Sequence, residues 1–167
     1  MKELFYTARS GNNIAKNVLF GLLGTAAIFV VAAYVSPILT GIIWMVALGF
    51  ITAAIYVYNR YVAAEYCYGI TNDGGIPSFT VSMKVGKTSR VMARIDLSSI
   101  TEVKKMSREE YRAYKPEKGI IRFPYFPTMF AETVYVVASR SEHESADIVV
   151  ECDESFATAL ENFGVNE

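Results

Sequence analysis

The chain has 167 residues, room for one domain of ordinary size and an accessory segment, and its formal charge is −1. With 52% hydrophobic and 20% charged residues the balance is globular on average, but the average conceals two unlike parts. From Asn17 to Asn59 there is no Asp, Glu, Lys, Arg or His over 43 residues, whereas residues 60–167 carry 13 basic and 16 acidic groups; that net negative charge excludes a nucleic-acid-binding domain.

In chain order, residues 1–16 come first, a polar segment with Lys2, Arg9 and Lys16 in which "ELFYTA" is strand-like and able to join a later sheet. The apolar run that follows has no polar stripe at a period near 3.6, since Thr25, Ser36, Thr40 and Thr52 fall without period, so it is not the face of a soluble core helix. About 20 residues cross the roughly 30 Å hydrocarbon layer. Residues 18–35 and 38–58 are each about that long, and Ser36-Pro37 divides them, because proline removes a backbone donor and disfavours helix at the residue before it. The expectation is a two-helix transmembrane hairpin over 17–59.

Lys2, Arg9 and Lys16 before the hairpin and Arg60 after it place both termini in the cytoplasm by the positive-inside rule. Tyr34 suits one interface and Tyr56, Tyr58 and Tyr61 the other, while Trp44 is expected to pack on the first helix or to face lipid. The run is too long for a secretory signal and continues into a second one, so no cleavage is expected. Gly21 with Thr25, and Gly49 with Ala53, have the small-residue spacing of close helix packing, read here as contact within the hairpin.

Residues 60–167 read as a cytoplasmic domain of seven short strands and one terminal helix. "EYCYGIT" leads into the turn signal "NDGG", and "IPSFTVSMK" into "VGK". "SRVMARIDL" alternates, with Val91, Ala93 and Ile95 on one face and Arg90, Met92 and Arg94 on the other, and "SSITEVKK" supplies a fourth strand. Ser107 and Glu110 form a capping box with Met106 and Tyr111 as its hydrophobic staple, so a short helix interrupts the strands until Pro116 and Gly119. "GIIRF", "ETVYVVAS" and "ADIVVEC" are three more strands. Asp153 then offers an N-cap; Phe156, Leu160 and Phe163 fall on one helical face, and Gly164 is placed to stop the helix. The expected fold is a mainly-β, α+β sandwich or small barrel of seven strands capped by a C-terminal helix.

The segments "YGITNDG", "ARIDLSSITEV", "FPYFPTMFAETVYVV" and "ECDESFATALENF", following a two-helix anchor, resemble the bacterial pleckstrin-homology-like (PH-like) domains of membrane proteins. The resemblance covers nearly the whole chain and implies the PH-like fold. The charged helix-bearing insertion at 107–119 departs from the family's simplest pattern.

Chemistry is sparse. His143 is the single histidine and lies in the polar turn "SRSEHES", adjacent carboxylates such as Glu109 and Glu110 point apart on a helix, and "NDGG" and "VGK" lack phosphate-loop spacing. Cys67 and Cys152 match no metal spacing and read as small buried hydrophobes with free thiols. No catalytic residue, metal or cofactor is expected. Residues 84–122 hold eleven basic and five acidic groups and residues 123–167 one basic and nine acidic, so the domain has a basic and an acidic part. Lys84, Lys87 and Arg90 at one hairpin tip are the candidate contact for anionic lipid. Phe123, Tyr125, Phe126 and Phe130, beside two prolines, are the candidate contact for a protein partner. The leading expectation is a non-catalytic protein-binding or assembly module, with lipid-headgroup recognition by the basic hairpin and homo-oligomerisation as alternatives.

Overall fold

The computed structural model describes residues 3–9, 13–35, 39–73, 75–141 and 145–164. The expected turn at Ser36-Pro37 and the loop that holds His143 lie outside the described residues. Helix α1 (Ile14–Val35) and helix α2 (Thr40–Val57), which continues through one π-turn at Tyr58–Val62, give apolar helical spans of 22 and 23 residues, long and apolar enough to cross a membrane. They run antiparallel: Phe29 stacks on Phe50 at 5.6 Å, Tyr34 meets Trp44 at 6.1 Å, and the Thr40 hydroxyl donates to the Ala33 carbonyl. Trp44 thus packs on the first helix.

Alanines make the seam between the helices. Ala26 and Ala33 on α1 and Ala47 and Ala54 on α2 are buried and seven residues apart, a spacing that keeps small side chains facing the partner. The expected contact through Gly21 and Gly49 is not formed: a Cβ added at either meets nothing within 4 Å, so both lie on the exposed face. Thr25 and Thr52 donate their hydroxyls to the carbonyls of Gly21 and Leu48 at 2.9 Å, which satisfies them inside an apolar span.

Two four-stranded sheets pack face to face. The first has the order β1 (Leu4–Arg9), β2 (Ala64–Asp73), β3 (Ile76–Val85), β4 (Thr88–Asp96), all antiparallel. The second has the order β5 (Ile100–Ser107), β7 (Thr133–Arg140), β8 (Ser145–Val150), β6 (Ile121–Tyr125), with β6 parallel to β8. The domain therefore has eight strands, not seven. The eighth is "LFYTAR", which precedes the hairpin and pairs along its whole length with β2, which follows it. That pairing puts both ends of the hairpin on one side of any membrane it crosses.

The core between the sheets is led by Tyr66, Tyr68, Ile70, Phe79 and Val81 from one side and Val137, Ile148 and Val150 from the other. Tyr68 is fully buried; its hydroxyl donates to the Tyr125 carbonyl at 2.6 Å and accepts from the Glu151 N–H at 3.3 Å, tying the two sheets together. Removing that oxygen leaves two backbone groups unsatisfied. Tyr68→Phe is expected to cost about 1–3 kcal/mol, read as a lowered urea midpoint with an unchanged slope.

The alternation expected of β4 is broken. Ala93 pairs with Val81, but Val91 pairs with Ser82, so Met92 is the extra residue of a bulge. Val91 is thereby turned to the outer face of the sheet and is 65% exposed, while Ala93 and Ile95 keep the inner face. The Tyr125 hydroxyl donates to Met92 O on this edge strand at 3.3 Å.

The second sheet is buried on both faces. Its outer face carries Met106, Val134, Val136 and Val149, covered by Tyr111, Tyr114 and Phe126. Helix α3 (Arg108–Ala113) begins at the expected capping box, with Ser107 accepting from the Glu110 N–H and Glu110 accepting from the Ser107 N–H. Beyond it Tyr114 donates to Asp147 at 2.6 Å, and Arg140 pairs with the other Asp147 oxygen at 2.9 Å. The 107–119 insertion is thus the lid of the second sheet.

Helix α4 (Glu154–Gly164) starts where expected, the Asp153 carboxylate accepting from the Phe156 N–H at 2.9 Å. Its buried stripe is Phe156, Ala157, Leu160 and Gly164; Phe163 is 38% exposed, against expectation. Gly164 is still helical, and a Cβ there would lie 2.9 Å from Ile100 Cβ. Its missing side chain lets the helix end approach β5, which shifts the stripe away from Phe163.

Candidate functional site

The strand directions define a hairpin-proximal end of the domain. Strand β2 begins two residues after the last turn of the second span, and its first residue, Ala64, pairs with Val85, the last residue of β3. The β3–β4 turn, with Gly86 at φ 60°, therefore lies beside the domain end of the hairpin, as does Arg9, whose guanidinium pairs with Glu65 at 3.1 Å. Arg60 in the π-turn donates to the Tyr66 hydroxyl and the Pro124 carbonyl and lies over the Tyr66 ring at 5.4 Å. It fastens the domain to the hairpin and brings the end of β6 to the same level.

Lys84, Lys87 and Arg90 are all exposed and share this hairpin-proximal tip. They do not share a face: Lys84 is opposite Ser89 and Arg90 opposite Met83, adjacent rungs of the ladder that point to opposite sides of the sheet.

The four candidate aromatics divide into two places. Phe123 and Tyr125, two apart on β6, stack at 5.9 Å and 9° and line a cleft of about 480 Å³ between β4 and β6, the edge strands of the two sheets. Met92 and Ile95 form its opposite wall, and Ser99 and Ser139 its floor, hydrogen-bonded to each other at 2.9 Å. Ser99 also donates to the Asp96 carbonyl at 2.7 Å, which leaves its hydroxyl engaged as a cap, not poised as a nucleophile. Strand parity sends Phe126 to the other face.

Phe126 and Phe130 line a second, hairpin-proximal pocket of about 290 Å³ on the lid side of the second sheet. Tyr61, from the last turn of the second hairpin helix, forms one wall; Arg108 and Arg112, four apart on α3, form another. The Arg108 guanidinium lies 4.7 Å over the Phe130 ring. Phe130 has φ 62°, the single non-glycine residue with positive φ among the described residues, and is 48% exposed. Neither Arg108 nor Arg112 forms an ion pair among the described residues. The two arginines were missed as site residues; their i, i+4 spacing on a capped helix was a visible signal, but the pocket needs Tyr61 and the 126–131 loop, which are distant in sequence.

Other titratable groups have structural roles. Burial pushes the Cys152 thiol up to about 12, with Asp153 and Glu151 acting in the same direction, so it is a neutral thiol and not a nucleophile. Both cysteines are free and half-buried, not fully buried as expected. Burial also raises the Glu151 carboxyl, against hydrogen bonds from the Thr128 hydroxyl at 2.8 Å and N–H at 3.3 Å. No group of three or more His, Cys, Asp or Glu side chains able to hold a metal ion occurs among the described residues.

No curated protein and no solved structure matches the chain. A family profile, described as Bacterial PH-like domain (DUF6106), matches residues 8–166, from β1 through the hairpin to the end of α4. With nearly its whole length covered, the chain belongs to the bacterial PH-like domain (DUF6106) family.

Proposed function

We propose that this PH-like protein is a non-catalytic binding module held at the cytoplasmic membrane by its hairpin, with both hairpin ends inside, and that its cleft between β4 and β6 takes an extended segment of a protein partner. The observation that carries this reading is the position of the cleft. It lies between two sheet edges, where each strand lacks a ladder neighbour on one side, and is lined by the stacked Phe123 and Tyr125. Its floor, at Ser99 and Ser139, is at the end of the sandwich away from the hairpin, open to solvent. Such an edge suits strand addition, in which backbone bonds give affinity and flanking pockets give selectivity.

The test is a photo-crosslinking side chain placed at Met92 or Ser141 in the full-length protein in its native membrane, with Thr80 on the outer face of the first sheet as control. A discrete protein adduct from the cleft positions and none from Thr80 is expected. Absence of such an adduct, or substrate turnover by the purified protein that a single substitution abolishes, overturns the reading.

A second reading, contact of the basic hairpin with anionic lipid, is favoured by the pairing of Ala64 with Val85, which brings Lys84, Lys87 and Arg90 to the bilayer end. In phosphatidylglycerol nanodiscs, hydrogen exchange over residues 84–90 of the full-length chain should be slower than in phosphatidylcholine, and the difference should vanish at high salt. Equal exchange in the two lipids removes this reading.

A further inference from the structure

We propose that the membrane-proximal pocket under α3 binds one anionic phospholipid from the surrounding bilayer, its phosphate held by Arg108 and Arg112 and its glycerol and upper acyl carbons laid on Phe126 and Phe130. The inference rests on the membrane reading of the hairpin and is independent of the cleft between β4 and β6. Three observations carry it. One wall of the pocket is Tyr61, in the final turn of the spanning helix, so the pocket opens at the level where lipid headgroups lie.

Charge and polarity are sorted within it as they are in a phospholipid. Arg108 and Arg112 are neighbours on one helical face and lack carboxylate partners among the described residues. Glu110 on the same helix is engaged by the Ser107 cap. Planar guanidinium groups match phosphate oxygens and are weakly hydrated, which suits an anion at an interface. Beside them the pocket is lined by Phe126, Phe130, Ala131 and Val134. The third observation is Phe130 itself. An aromatic residue at φ 62° is held in a conformation that glycine would adopt without strain, and the result is a half-exposed ring under the Arg108 guanidinium.

Native mass spectrometry of the full-length chain in detergent micelles tests this, with phosphatidylglycerol, phosphatidylcholine and water-soluble glycerol phosphate as probes. One saturable phosphatidylglycerol adduct is expected, weakened about tenfold or more when Arg108→Gln and Arg112→Gln are combined. Phe130→Gly should weaken it severalfold while removing backbone strain, so a loss there is not a loss of folding; a thermal melt checks this. Combined Lys84→Gln, Lys87→Gln and Arg90→Gln should leave the adduct intact, which separates this pocket from the hairpin tip. Equal binding of phosphatidylcholine, binding of glycerol phosphate as tight as that of the lipid, or an adduct that survives the arginine changes overturns the proposal. A protein held by the pocket in place of lipid would also overturn it, seen as a crosslinked adduct from a photo-reactive residue at Met129 in native membranes.

Discussion

Phe156→Ala is expected to destabilise the domain by about 3–5 kcal/mol, a large part of the 5–15 kcal/mol that holds a domain together. The ring is 2% exposed and touches aromatic rings from three strands: Tyr6 on β1 at 5.9 Å, Tyr68 on β2 at 6.3 Å and Phe79 on β3 at 6.4 Å. Tyr68 is not free to collapse into the space, because its hydroxyl is fixed by Tyr125 and Glu151. The change therefore leaves a cavity under α4 and loosens β1 as well. Urea unfolding in detergent micelles, followed by far-ultraviolet circular dichroism, should show a lower midpoint. Phe163→Ala on the same helix should cost less than about 1 kcal/mol, since its ring is at the rim. Equal losses for the two substitutions would mean that α4 does not sit as described.

Asp147→Ala is expected to cost a similar amount, about 3–5 kcal/mol. Asp147 is completely buried on the outer face of β8, one oxygen on Arg140 and the other on the Tyr114 hydroxyl. Removing the carboxylate leaves the Arg140 guanidinium, which also donates to the carbonyls of Ser139 and Ala146, without its anion. It also unfastens the segment that lids the second sheet, so proteolysis within 107–119 should accelerate before the domain unfolds. Burial, together with Asp147 itself, pushes the Tyr114 hydroxyl up to about 12. A tyrosine raised on folding contributes stability that is present below its unfolded value near 10 and is lost as pH rises through its folded value. The wild type should therefore lose more stability than Tyr114→Phe between pH 10 and about 12, measured as the difference between their urea midpoints.

Much of the architecture is legible in local pattern because local pattern caused it. The absence of charge from Asn17 to Asn59 is itself the requirement for a span. The Ser107–Glu110 box and the Asp153 cap are contacts between residues three apart, so they form wherever the helix forms. The run "TVYVVAS" carried a further signal: its unbroken apolar stretch, without alternation, is what a strand buried on both faces needs. The 107–119 insertion supplies the second cover.

What resisted reading from sequence depends on registry between distant segments. Val91 alternates correctly along β4, yet a single extra residue at Met92, set by pairing with β3, turns it outward. Phe123, Tyr125, Phe126 and Phe130 lie within eight residues, but parity across the end of β6 sends the first two to the cleft and Phe126 to the other face, where the following loop brings Phe130 to the hairpin-proximal pocket. Arg90 and Lys84 share a hairpin tip and face apart for the same reason.

Local pattern is enough to establish that a hairpin able to cross a membrane precedes a strand-rich domain closed by an amphipathic helix, because charge exclusion, periodicity and caps are properties of residues near one another in the chain. The folded chain as a whole sets the rest: β1 completes the first sheet across the hairpin, Gly164 serves close approach to Ile100, and Arg108 and Arg112 meet Tyr61 and Phe130 around one pocket. Those arrangements join positions up to about 70 residues apart, and they follow from strand pairing and packing of whole sheets, which no short window of the chain contains.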